Sequence, residues 1–220
     1  MTTDNNVNQF FSWVTDIFYS HISPKFDTGS FKNVMDYSYA FFEKIAVHFP
    51  VFWLLYIDMY KELVDKEIQS LNISFNDSVL VVGCGSIAAT SFLIAQHSNA
   101  KKIVSIDYDA KAIQNAKNLI SYVQCDTILD FEYADGLSYD VKGFDVVFVL
   151  YGIKKQKEIL THLYQNIDNC SRIIFRTTND SLTQFVGGKQ FLEQYFEIKK
   201  TIQSDTLFDT VSFLLQKNTK

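Results

Sequence analysis

Ser78-Val79-Leu80-Val81-Val82-Gly83-Cys84-Gly85-Ser86 is the stretch on which the reading of this chain turns. An unbroken apolar run suits a strand buried on both faces, and the glycines after it allow a turn whose backbone can approach a ligand closely. A helix is expected from Ile87 to Gln96. Strand, turn and helix together place backbone amides at the carboxyl end of a strand.

Working outward, the same texture recurs. Ile103–Ile106, Phe144–Leu150 and Ile173–Phe175 are further continuous apolar runs, with a candidate third strand at Tyr133-Ala-Asp-Gly136, before Asp135. Between them lie the expected helices Ala110–Tyr122 and Lys155–Asn166. Alternation of this kind predicts an α/β fold, a Rossmann-like doubly wound sheet with right-handed crossovers. Phe196–Gln203 and Asp209–Gln216, split by Ser204-Asp205, are expected to pair as a C-terminal antiparallel hairpin.

Upstream the pattern differs. Phe10, Phe11, Val14, Ile17 and Phe18 recur at the spacing of one helix face, and two more helices are expected over Ser30–His48 and Pro50–Leu71. The expected organisation is a helical N-terminal domain over 1–72, serving as lid or substrate domain, and a Rossmann-like domain over 73–220.

Composition narrows the function. The chain has 220 residues, 47% of them hydrophobic, and a net charge of −5. No long Lys/Arg run supplies the basic stripe of a nucleic-acid binder. Phe49–Ile57, the most apolar early stretch, is far shorter than the ~20 residues of a membrane span. The three cysteines are widely spaced and the four histidines scattered, so neither a disulfide framework nor a metal site is expected. A cytoplasmic protein with reduced thiols follows, with a homodimer among the expectations.

The turn lacks the third glycine of a dinucleotide fingerprint, which disfavours a pyrophosphate-bearing ligand. Asp107 ends the next expected strand, 22 residues beyond Gly85 and close to the ~20-residue offset at which a carboxylate accepts from ribose hydroxyls. Asp135-Gly136 follows the third strand. The competing reading makes Asp107 and Asp135 loop carboxylates, with Asp109 capping a helix. Taken together, Gly83, Cys84, Gly85, Ser86, Asp107, Tyr108, Asp135 and Gly136 resemble the cofactor site of class I S-adenosylmethionine (SAM) enzymes, in which the acidic residue at Asp135 holds the adenine amino group.

A closer resemblance lies in Gly83-Cys-Gly-Ser-Ile-Ala-Ala-Thr90-Ser91, in Phe144–Ile153 leading to Ile159-Leu-Thr-His-Leu163, and in Ile173-Ile-Phe-Arg176-Thr-Thr178. These stretches are similar to the nicotianamine synthase family, which includes staphylopine-type synthases of opine metallophores. His48-Phe49-Pro50-Val51-Phe52, followed by Tyr56, resembles the family's Phe-Pro-Tyr-Tyr segment. Three departures stand out: Ser86 replaces a proline, Val51-Phe52 replaces the tyrosine pair, and the chain is shorter than those relatives.

The resemblance implies transfer of a 3-amino-3-carboxypropyl group from SAM to the amine of a small acceptor, with release of methylthioadenosine. The same cofactor turn also suits a small-molecule methyltransferase or a subunit that only binds SAM. An attacking amine must be neutral, which calls for a proton acceptor in a site shielded from water. Glu43, Tyr56 and Tyr151 are the catalytic candidates, with ion pairing for Glu43 and core packing for the tyrosines as alternatives. Arg176 is the candidate for holding an acceptor carboxylate in a bidentate fork, with an ordinary surface ion pair as the alternative; Tyr151 also stands where substrate is expected, and the charges over Lys61–Glu67 read as solvated helix pairs.

Overall fold

The structure, a computed structural model, describes residues 50–120, 127–207 and 209–218. The chain divides into two compact units, Met1–Leu55 and Tyr56–Lys220. The helices expected upstream of Pro50, with Glu43, lie outside the described residues, as does the end of the helix expected to reach Tyr122.

Helix α1, Pro50–Leu71, opens on the proline whose missing N–H costs nothing in a first turn. Leu63, Val64, Glu67, Ile68 and Leu71 recur at three- and four-residue spacing and are all buried. Residues 56–71 are bonded to the sheet of the second unit through Glu67.

Seven strands form one sheet: β1 Ser78–Val82, β2 Lys102–Asp107, β3 Ile128–Tyr133, β4 Val146–Val149, β5 Arg172–Thr178, β6 Phe196–Gln203 and β7 Thr210–Lys217. Their spatial order is β3-β2-β1-β4-β5-β7-β6. The first five are parallel, and β7 runs antiparallel between β5 and β6. The expected doubly wound sheet and its terminal hairpin are both present. Strands β1 and β4 are buried along their lengths apart from Ser78, as their continuous apolar runs require. Strand β3, at the sheet edge, alternates instead.

Helices α2 Ala89–His97, α3 Ala110–Leu119 and α4 Gln156–Asn166 connect the parallel strands. Helix α2 begins two residues later than the sequence suggests. Ala88 takes left-handed angles (φ 50°, ψ 38°) and Ile87 is buried, so the chain turns once more before it coils. Between β5 and β6 lie α5, Asn179–Ser181, a π-helical turn over Leu182–Val186, and α6, Gly188–Tyr195. The parallel order reverses between β1 and β4, the topological switch point at which open α/β sheets bind ligands.

Candidate active site

The glycine turn leaves β1 at this switch point. Gly83 (φ 78°) and Gly85 (φ 68°) both adopt left-handed conformations, which L-residues rarely populate. A Cβ on Gly83 would also come within 2.7 Å of the Ile153 side chain. The amides of Gly83 and Cys84 donate to the Ile106 carbonyl at 2.9 and 3.1 Å.

Asp107, buried at the end of β2, braces the turn from the neighbouring strand. Its Oδ2 accepts from the Gly85 amide at 2.9 Å and its Oδ1 from the Asp109 amide at 3.0 Å. A carboxylate oxygen offers two lone pairs, so each Asp107 oxygen keeps one acceptor position beyond these bonds. Asp109 caps α3 by accepting from the Lys111 amide at 2.8 Å. The capping role thus falls to Asp109 and the bracing role to Asp107. Asp135 accepts from the Leu137 amide at 2.9 Å, which fixes the turn after β3.

A cavity of about 320 Å³ opens beside these groups, within the ~300–1,000 Å³ range of small-molecule sites. Gly83, Asp107, Tyr108, Asp135 and Gly136 all line it. Ile106, Leu137, Ile153 and Ile159 supply apolar wall, and Lys154 and Lys155 supply cations. A Cβ on Gly136 would meet Val82 at 2.7 Å, so the floor closes only over a residue without a side chain. A largely apolar cavity that also carries carboxylate acceptors fits a nucleoside, whose base is flat and apolar on its faces and whose ribose presents two donors.

The other expected site residues are placed as follows. Cys84, Gly85 and Ser86 belong to the turn, and Cys84 is buried. Tyr151, half-buried, follows β4. Tyr56 lies on α1, its phenol donating to that of Tyr60 at 3.4 Å.

Arg176 departs from the expected picture. It is 2% exposed, and its fork meets Glu67, with Nε to Oε1 at 3.1 Å and Nη2 to Oε2 at 2.5 Å. Nη1 donates to the Thr90 hydroxyl at 3.0 Å, and the Tyr60 ring lies 5.7 Å from the guanidinium carbon. Burial opposes the guanidinium charge, but the facing Glu67 carboxylate outweighs it and holds the Arg176 pKa above its ordinary value. Ser212 donates a further bond to Glu67 at 2.6 Å.

Glu67 is therefore no solvated surface charge: it is fully buried, whereas Lys61–Asp65 and Lys66–Glu62 are partly exposed i,i+4 pairs of the same helix. Its position within the apolar stripe of α1 is the signal that marked it. Thr90 joins the Arg176 clamp, while Ser91 accepts from Ser105 at 2.8 Å, so the Thr-Ser pair anchors α2 at two points.

A parallel switch-point sheet with an antiparallel β7, and a glycine turn braced by an acidic residue on β2, define the class I methyltransferase fold. Solved structures agree. MtNAS in complex with MTA and tNA superposes with a TM-score of 0.70 at 15% identity, covering 87% of this chain and 78% of that one. A mutant of MtNAS in complex with S-adenosylmethionine gives 0.69 at 16%, covering 84% and 74%. An RNA methyltransferase from Salinibacter ruber in complex with S-adenosyl-L-homocysteine gives 0.56 at 12%, covering 72% and 92%. No curated protein sequence matches the chain.

The family model described as nicotianamine synthase protein matches residues 35–214, well over half of the sequence. The chain belongs to the nicotianamine synthase family, and with it to the SAM-dependent transferases.

Proposed function

We propose that this protein transfers the 3-amino-3-carboxypropyl group of SAM to the amine of a small acceptor, as in nicotianamine or opine-metallophore assembly, and that it does so in the cytoplasm. The observation that carries the reading is the apolar cavity beside the Asp107-braced glycine turn, in a chain that matches the nicotianamine synthase model over residues 35–214. The complex of MtNAS with MTA and tNA supports the same chemistry by analogy.

The free acceptor positions of Asp107 suit ribose hydroxyls, Asp135 suits an exocyclic amino group, and Ile106, Leu137 and Ile159 suit the faces of an adenine. SAM supplies a carbon activated by its sulfonium, from which methylthioadenosine leaves when an amine attacks the aminocarboxypropyl chain. Glu43, Tyr56 and Tyr151 remain the candidates for removing the amine's proton, in a site that must be shielded from water.

Isotopic label tests the reading. With SAM labelled in its aminocarboxypropyl chain, the label is expected in the acceptor. With SAM labelled in its methyl group, it is expected to leave with the nucleoside. Methyl label in the acceptor would make the protein a methyltransferase.

A further inference from the structure

A cation is one of the groups that hold an amino acid's carboxylate, and Arg176, the residue expected to supply it, is engaged elsewhere. Both arms of the Arg176 fork are taken by Glu67 and its remaining nitrogen by Thr90, all of them buried. The cavity has two other cations in its wall, Lys154 and Lys155, in the turn between β4 and α4. Both are exposed, and neither takes part in an ion pair among the described residues.

The turn is held against the glycine loop. Ile153, their neighbour, packs so close to Gly83 that a Cβ there would overlap it. The lysines therefore stand at the same cavity as Asp107 and Asp135, so that its lining carries both cations and carboxylates. SAM and an amino-acid acceptor each carry an α-carboxylate beside positive groups, so a cavity lined by charges of both signs suits them.

We infer that Lys154 and Lys155 bind the α-carboxylate of the amino-acid moiety handled at this site, either the methionine part of SAM or the acceptor. The inference deepens the function proposed above and rests on it. Because ammonium groups on flexible stems act as point charges, binding through them is salt-sensitive.

The test uses the full chain and the variants Lys154→Gln, Lys155→Gln and the double variant, titrated with SAM and with methylthioadenosine, which lacks the carboxylate. If the carboxylate is that of SAM, the double variant binds SAM roughly tenfold more weakly, which corresponds to about 1.4 kcal/mol, while methylthioadenosine affinity is unchanged. The wild-type preference for SAM then shrinks as salt rises.

If the carboxylate is that of the acceptor, both affinities stay at wild-type values. KM for an α-amino-acid acceptor then rises about tenfold, with no rise for the matching decarboxylated amine. Unchanged affinities together with unchanged KM overturn the inference. So does an equal loss of SAM and methylthioadenosine affinity, which would mean that the lysines act on the nucleoside or the loop. A wild-type protein that binds neither compound would instead overturn the proposed function itself.

Discussion

Replacing Arg176 by Met leaves the Glu67 carboxylate fully buried with Ser212 as its one remaining donor among the described residues. Removing one partner of a buried ion pair costs about 3–5 kcal/mol, and the lost bond to Thr90 adds about 1 kcal/mol. Against a typical total stability of about 5–15 kcal/mol, that is a large share.

With a urea m-value of about 2 kcal/mol per molar, a loss of 4 kcal/mol moves the unfolding midpoint down by about 2 M. Urea titration followed by circular dichroism reads this directly. A Glu67→Met/Arg176→Met double variant, which buries no charge, is expected to recover much of the loss, so the single effects are strongly non-additive. A single-variant loss below about 1 kcal/mol, or strict additivity, would refute the view that this pair clamps α1 to the sheet and to α2.

Asp107→Asn turns one acceptor oxygen into a donor facing a backbone N–H, and is expected to weaken SAM binding by roughly 10- to 100-fold in calorimetric titration. Gly136→Ala sets a Cβ 2.7 Å from Val82 and is expected to cost about 1–3 kcal/mol in thermal or urea unfolding, as overpacked sites do.

Asp77 accepts from the Ser74 amide at 2.6 Å and pairs with Arg172 at 2.8 Å; burial opposes its charge, but these two partners outweigh burial and hold its pKa below the ordinary 3.8. Its contribution is fully present above pH 3.8 and is lost as pH falls from there through the folded-state value, so Asp77→Asn is expected to flatten the acid side of the stability profile.

Much of this fold was legible because its strands are buried on both faces and are written as unbroken apolar runs. Strand β3 was harder to place, since an edge strand alternates and carries Asp130 and Glu132. The helical stretch between β5 and β6 left little trace, being short and interrupted by Gly187 and Gly188 in left-handed conformations. At the site, the spacing from Gly85 to Asp107 singled out a candidate ribose acceptor, and in the structure the same carboxylate accepts from the Gly85 amide. The partner of Arg176 was not legible, because Glu67 lies 109 residues away and looks like one more charge on a charged helix until its apolar neighbours are seen. The position of Lys154 and Lys155 after the fourth strand was legible, but the packing of Ile153 on Gly83, which holds their turn at the cavity, was not.

The mass of the nucleoside released from SAM in the presence of an amino-acid pool tests the central claim most directly. The account predicts methylthioadenosine, formed faster than in a protein-free control and in step with acceptor consumption; S-adenosylhomocysteine in its place would contradict it.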